Sequence, residues 1–309
     1  MRLGTEKDKA VLRIRAKVLR ASREWFDQHE YVEVHGPTII PVVGDCSGYF
    51  EIKYFNSKAF LTQGLQPYAH YFVSSLEKIY TIAPTFRAEK VSTRRHLTEY
   101  WRKEVAQQCD LDRLLGFEEA LVEHVCQSLS KQTSETLSCF QRSAEDFAKV
   151  KAPFPKLTYD EAVDLLQSDG FDVNWGQKLS WKMEKHLSLR FTIPFFITKF
   201  PLSIETFFNK SDPERPELTL SADLIAPEGY GEIGSSVQRI TDKNVLSQKM
   251  TEEHIDPEDQ KWYLNFMPNG SLPHSGFAIG VERLIQWTCK LAHVKEATAF
   301  PRLPDHVYP

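Results

Sequence analysis

The run Phe86-Arg87-Ala88-Glu89, Lys90-Val91-Ser92-Thr93-Arg94-Arg95-His96, Leu97-Thr98-Glu99-Tyr100 constrains the fold more than any other segment. It reads as a strand, a charged loop and a second strand. Strand side chains alternate between faces, so Arg87 and Glu89 share one side of the first strand, and His96, Thr98 and Tyr100 share one side of the second. Pairing the two strands gathers an arginine, an acid, a histidine and an aromatic ring on one patch of sheet. Arginine matches phosphate oxygens as a fork and tyrosine stacks on a purine, so the patch suits a nucleotide triphosphate. The spacing alone fits equally well a solvated hairpin whose charges keep an antiparallel sheet in water.

The surrounding chain supplies elements on both sides of this hairpin. Val11, Ile14, Val18, Leu19 and Trp25 fall at roughly helical spacing, which predicts an amphipathic helix over 7–30, followed by an extended stretch from Tyr31 to Ile40 through Pro37. Strands are expected at 50–54 and 59–63, joined by Asn56-Ser57-Lys58, then a helix over 65–76. The pattern is helical from Leu114 to Phe147, loop-like over 150–155, and consistent with a small α-rich insertion over 158–191. Strand character returns at 195–198, 218–224 and 231–240, and Asp256-Pro257-Glu258-Asp259 is a helix start, with aspartate as cap and proline in the first turn. A final cluster, Ser275-Gly276-Phe277-Ala278-Ile279-Gly280-Val281-Glu282-Arg283-Leu284, enters a helix with Arg283 just inside it, placed either to reach a phosphate over a sheet or simply to pack.

Composition excludes several classes. With 309 residues, 41% hydrophobic and 26% charged, the chain buries a large core as one or two domains. No long apolar run or signal-peptide pattern is present, so a cytosolic chain without a membrane partner is expected. The net charge of -4 argues against an extended nucleic-acid surface, hence against DNA, and does not favour tRNA. Five scattered cysteines, Cys46, Cys109, Cys126, Cys139 and Cys289, without CxxC spacing, read as buried thiols rather than zinc ligands or a disulfide framework.

Phe86-Arg87-Ala88-Glu89 followed by Thr93-x-Arg95-His96-Leu97-x-Glu99-Tyr100 resembles motif 2 of the class II aminoacyl-tRNA synthetases, in the form used by the asparaginyl and aspartyl enzymes. The helix and strand ending at Pro37 are similar to motif 1, and Ser275 to Leu284 to motif 3, with Ala278 where glycine is usual. Asp223-Leu224-Ile225-Ala226-Pro227 and Gly231-Glu232-Ile233-Gly234-Ser235-Ser236-Val237-Gln238-Arg239-Ile240 resemble the subgroup's signature, as does the closing Phe300-Pro301-Arg302, so the likeness runs from about Leu12 to the end. It implies an α+β class II catalytic domain over 1–309, with a mainly antiparallel six- to seven-stranded sheet flanked by helices. It also implies a homodimer around Pro37, ATP and Mg2+ as cofactors, and a small amino-acid substrate. By the same resemblance Arg87 and Arg283 are the catalytic residues. Arg87 holds the α-phosphate, Glu89 the adenine amino group and Tyr100 the adenine face, while Arg95, His96 and Arg283 hold the outer phosphates. Glu232 and Ser235 match magnesium ligands, and Arg239 matches the arginine that grips the substrate side chain. Strict alternation pairs Glu232 with Ser236, so a bulge at Gly234 is needed for Ser235 to point the same way.

Three departures bear on what is activated. Motif 1 begins within the first forty residues, so an anticodon-binding barrel is not expected ahead of it. Ser47 stands where the family has the glutamate that binds the α-ammonium group, and the loss of such a charged partner costs about 1.5 to 3 kcal/mol. In Gln66-Pro67-Tyr68-Ala69-His70, Ala69 replaces the lysine of aspartyl enzymes and His70 the glutamate of asparaginyl enzymes. Gln66, His70, Arg239 and Ser47 are therefore the expected substrate-binding set, with His70 a second donor when protonated. The expectation is an ATP-dependent, adenylate-forming ligase acting on aspartate, asparagine or a close analogue. Its acceptor is expected to be unusual, for example ammonia, as in the archaeal synthetase-derived asparagine synthetase. A barrel-less enzyme charging tRNA or a tRNA-like RNA, and a catalytically silent paralogue binding an amino acid or a partner protein, are the alternatives.

Overall fold

The computed structural model describes residues 4–41, 48–90, 93–255, 260–265, 267 and 273–308. Ser47, Cys46 and the expected helix start at 256–259 lie outside the described residues. Helix α1 (Glu6–Gln28) begins at Thr5, whose hydroxyl accepts from the Asp8 N–H while the Asp8 carboxylate accepts from the Thr5 N–H. Short strands β1 (Val32–Glu33) and β2 (Ile39–Ile40) precede a hairpin of β3 (Glu51–Tyr54) and β4 (Ser57–Leu61). Helix α2 (Gln66–Leu76) then leads into two nine-residue strands, β5 (Lys78–Phe86) and β6 (Glu99–Gln107).

The helical pattern expected over 114–147 resolves into α3 (Leu111–Ser130), α4 (Ser134–Ser138) and α5 (Ala144–Ala148). The breaks fall where Thr133 and Ser143 turn their hydroxyls onto backbone N–H groups and start new helices. Beyond them come β7 (Lys156–Thr158), α6 (Tyr159–Ser168), α7 (Trp181–Ser188), β8 (Phe195–Thr198), β9 (Ser221–Ala226) and β10 (Gly231–Gln238). The chain continues through α8 (Lys243–Glu252), α9 (Lys261–Asn265), β11 (Ser275–Gly280) and α10 (Val281–Thr288).

Eight strands of the described residues form one sheet in the order β1-β5-β6-β11-β10-β9-β8-β7. It is antiparallel through its middle and parallel only in the two edge pairs, β1 with β5 and β7 with β8. The expected mainly antiparallel sheet is thus present, with a two-residue strand at one edge and a three-residue strand at the other. A separate three-stranded sheet has the order β2-β4-β3.

One face of the main sheet is covered by α1, α3 and α10, whose Ile14, Val18, Trp25, Leu114, Leu121 and Leu284 share a core with Val105 and Ile279 of the strands. Alternation along β6 sends Lys103 and Val105 under those helices, and leaves Arg102 and Glu104 on the face that carries the cavity described below. Residues 158–191 pack through Tyr159, Leu166 and Leu187 on Phe195 of β8 and Ile225 of β9. Cys109, Cys126 and Cys289 are buried thiols, whereas Cys139 is half-buried. Among the described residues no helix is long and apolar enough to cross a membrane.

Candidate active site

The open face of the sheet carries a cavity of about 590 Å³. Its walls hold every nucleotide and metal residue expected from the sequence: Arg87, Glu89, Arg95, His96 and Tyr100 from the first cluster, Glu232 and Ser235 from β10, and Arg283 from α10. The way the first cluster arrives differs from the expectation. The β5–β6 ladder ends at Phe86 opposite Glu99, so Arg87, Glu89, His96 and Thr98 lie beyond the strand ends, and only Tyr100 sits on a strand. The Arg87 N–H still reaches Thr98, but the next donors turn to distant segments, Ala88 to the Gly48 carbonyl at 2.8 Å and Thr98 to the Arg302 carbonyl at 2.9 Å. Those non-local bonds, rather than strand alternation, aim the side chains at the cavity.

On β10 the bulge is real and lies one residue earlier than expected. Glu232 pairs with Ile225 and Gly234 with Leu224, which leaves Ile233 as the extra residue. Ser235 consequently lines the cavity beside Glu232, while the Ser236 hydroxyl points through the sheet to donate to Glu118 of α3. The Glu232 carboxylate meets Arg283 at 2.8 Å and Arg95 at 3.4 Å, and both guanidinium groups also donate to its backbone carbonyl. Burial pushes this carboxyl up, yet Arg283 and Arg95 outweigh it and hold Glu232 below the usual range. His96 moves the other way: burial, then Arg283 and Arg87, bring its pKa down to about 4, so the imidazole is neutral near pH 7.

Sequence reasoning missed six charged residues of the cavity, namely Arg102, Lys178, Glu184, Glu205, Asp223 and Glu282. Glu184 belongs to α7, in the stretch read as a peripheral insertion, yet it takes a 2.7 Å ion pair from Arg95 and the Glu232 N–H at 3.0 Å. Gly231 makes room for this contact: its φ of +74° suits glycine, and a Cβ there would sit 2.9 Å from the Glu184 carboxylate and 3.0 Å from Arg95. Asp223 stands opposite Ser235 in the β9–β10 register. Burial, and then the charges of Glu232, Glu205 and Glu184, push its carboxyl well above the ordinary range. No group of three or more His, Cys, Asp or Glu side chains among the described residues is arranged to hold a metal ion unaided.

Behind the large cavity lies a small one of about 40 Å³, sharing Arg102, Ser235 and Ala278 with it and lined also by Gln66, Ala69, Arg239 and His274. Arg239 is 6% exposed, stacks over the Phe208 ring at 4.3 Å and donates from Nη2 to the Gln66 side chain. Its Nε and Nη1 find no partner among the described residues. Burial lowers its pKa to about 10, so it remains a cation at neutral pH with two donors to offer. The expectation for His70 needs correction. It is buried behind the small cavity rather than lining it, its ring packed 4.2 Å from His274 and 5.6 Å from Tyr263. Burial and the neighbouring Arg239 bring it down to about 4, so it does not act as a protonated donor.

Comparison with known proteins agrees with this geometry. The family model described as tRNA synthetases class II (D, K and N) matches residues 1–304. An asparagine–tRNA ligase from Thermococcus gammatolerans is 40% identical over 311 aligned positions, covering 100% of this chain and 72% of that protein. One from Desulforamulus reducens is also 40% identical, covering 99% of this chain and 72% of its own length. Among solved structures, the asparaginyl-tRNA synthetase of Pyrococcus horikoshii complexed with asparaginyl-adenylate superposes with a TM-score of 0.95 at 39% identity, covering 99% of this chain and 71% of the other. The corresponding Entamoeba histolytica complex gives a TM-score of 0.90 at 28% identity, over 99% of this chain and 69% of that one.

Proposed function

This chain belongs to the tRNA synthetases class II (D, K and N), a family of ATP-dependent ligases, and we propose that it joins ATP to an amino acid of the asparagine or aspartate type as an aminoacyl-adenylate. The observation that carries this reading is the adjacency of the two cavities: four arginines line the larger one, and Arg239 offers unpaired donors beside the smaller. In the step, a carboxylate oxygen of the amino acid bonds to the α-phosphorus of ATP as the bond to pyrophosphate breaks. Arg87 offsets charge at the α-phosphate, and Arg95 and Arg283 offset it on the leaving pyrophosphate. Neutral His96 contributes a hydrogen bond rather than a charge. Glu89 and Tyr100 take the adenine amino group and ring face.

Magnesium takes oxygen ligands, keeps several waters, and uses one or two carboxylates together with substrate phosphates. Glu232, Ser235 and Asp223 would supply such oxygens from neighbouring strands, and a divalent cation would offset the burial and the repulsion from nearby carboxylates that raise Asp223. When bound, Mg2+ neutralises phosphate charge. Glu232 is paired with Arg283 and Arg95, so an incoming triphosphate competes with that carboxylate for the same N–H groups.

The side chain of the amino acid faces Arg239 and Gln66, which fit a carboxylate or an amide carbonyl. The relatives' names favour tRNA as the acceptor. Ala69 and His70 bear on the choice of amino acid, and no contact described above favours ammonia. A homodimer through the segment around Pro37 is supported by apolar side chains left exposed beside it, Val32 at 42% and Ile39 at 45%. The test is ATP–pyrophosphate exchange with asparagine, aspartate and close analogues, followed by acyl transfer to tRNA(Asn), tRNA(Asp) or ammonia. Exchange with at least one of these amino acids is expected, and its absence with all of them refutes the reading.

A further inference from the structure

Glu205 is a charged residue of the large cavity to which the reading above gives no role. It sits on a loop stitched to the end of β10: Lys210 donates to the Gln238 carbonyl, Ile240 to the Phe208 carbonyl, and Asn209 forms an isolated bridge with Arg239. Glu205 and Arg239 therefore project from adjoining backbone segments. Asn209, itself 3% exposed, fixes the acid by donating from Nδ2 to Oε2 at 2.6 Å, and is held in turn by the Thr206 hydroxyl at 3.1 Å. The other oxygen, Oε1, has no hydrogen bond among the described residues, and no cation there lies within ion-pair distance. Glu205 lines the large cavity.

A positioned acid without a cation thus lines the large cavity, and a guanidinium with two unpaired donors lines the small cavity that adjoins it. A ligand that satisfies both carries an ammonium group and a carbonyl or carboxylate a few bonds apart. We propose that Glu205 binds the α-ammonium group of the amino-acid substrate, while Arg239 binds its side chain and leaves the α-carboxylate directed toward the phosphates. This rests on the adenylation reading. Burial raises Glu205 to about 7, against the pull of Lys178, Arg239 and the Asn209 hydrogen bond, in keeping with a carboxylate that gains from a cationic partner.

The experiment compares wild type, Glu205→Gln and Glu205→Asp in ATP–pyrophosphate exchange, with succinate and succinamate, which lack the amino group, as competitive inhibitors. Loss of one charged hydrogen-bond partner corresponds to a roughly ten- to hundredfold rise in KM for the amino acid in Glu205→Gln. The KM for ATP and the Mg2+ midpoint should stay put, and the inhibition constants of the deamino analogues should not worsen. Glu205→Asp, which keeps the charge, should lie between wild type and Glu205→Gln. An unchanged ratio of amino acid to deamino analogue in Glu205→Gln overturns the proposal, as does a shift confined to Mg2+ dependence. If Glu205→Gln loses its ATP affinity as well, the same ratio in Glu205→Asp decides, an unaltered value again counting against it. Wild type without exchange for any amino acid sinks the adenylation reading itself, whereas intact wild-type exchange with indifferent variants sinks only the Glu205 assignment.

Discussion

Arg87 and Arg283 are proposed to act on different phosphates of one ATP, and they sit in different surroundings, so replacing each by alanine separates chemistry from stability. The Arg87 side chain is 39% exposed and meets Glu89, equally exposed, at 3.5 Å. A pair of that kind contributes about 0 to 1 kcal/mol, so Arg87→Ala should leave the melting temperature within about 2 °C of wild type. Arg283 is 19% exposed, pairs with Glu232 at 2.8 Å and donates to the carbonyls of Glu232 and Arg95 at 3.2 and 3.4 Å. Breaking a buried pair costs about 3 to 5 kcal/mol when nothing remains to cover the orphaned charge. Here Arg95 still backs Glu232 at 3.4 Å, which brings the expected loss to about 2 to 3 kcal/mol, or roughly 5 °C for a chain of this size. In pyrophosphate exchange both variants should lose about 10²- to 10³-fold in kcat, the usual effect of removing one preorganised donor from developing charge. Thermal melts run beside the exchange assay provide the check. Wild-type turnover in either variant refutes the phosphate role, and equal melting temperatures for the two refute the account of the Glu232 pair.

The remaining predictions concern the second cavity and the layer behind the sheet. Arg239→Leu should raise the KM for the amino acid at least tenfold and leave that for ATP within about twofold, because the lost donors face only the small cavity; a parallel loss of ATP affinity in titrations would contradict the division of labour. Lys103 is fully buried and burial lowers it to about 7, so between that pH and its ordinary 10.5 the unfolded chain holds a proton that the folded one does not. Stability contributed at this site therefore rises with pH across that window, by about 1.4 kcal/mol per unit. Lys103→Met should be more stable than wild type at pH 7, with the gap closing toward pH 10, and urea melts showing a constant or reversed gap would refute it.

How much of this was legible in the sequence depends on whether a residue's direction is set locally. Arg283, Glu232 and Ser235 follow from strand and helix geometry within a few residues, and even the bulge was implied by the need to turn Ser235 toward Glu232. Arg87 and His96 do share one cavity, but not through strand alternation, because the ladder between them is interrupted by bonds to Gly48 and Arg302, far away in the chain. Glu184 and Glu205 were invisible for a related reason. On a helix such as α7 a carboxylate among lysines reads as a solvated face, and only the packing of residues 158–191 on β8 and β9 brings it against Arg95. His70 was misjudged because a sequence shows that a histidine is available, and not that burial beside Arg239 and His274 keeps it neutral.

Strand β10 joins the two sides of the sheet in one piece of chemistry. Its extra residue, Ile233, lets Glu232 and Ser235 share the cavity, and the same offset sends Ser236 through to Glu118, which burial raises to about 8. The backbone approaches closely at that point: a Cβ at Gly234 would lie 3.0 Å from each of the Ala278 carbonyl, the Glu118 carboxyl and the Ile279 side chain. Glycine here permits tight contact between β10, β11 and α3, and that contact fixes how far the bulge projects. The position of the Glu232 and Ser235 oxygens is therefore set from behind, by Glu118 and the glycine, as much as by the charged groups in the cavity.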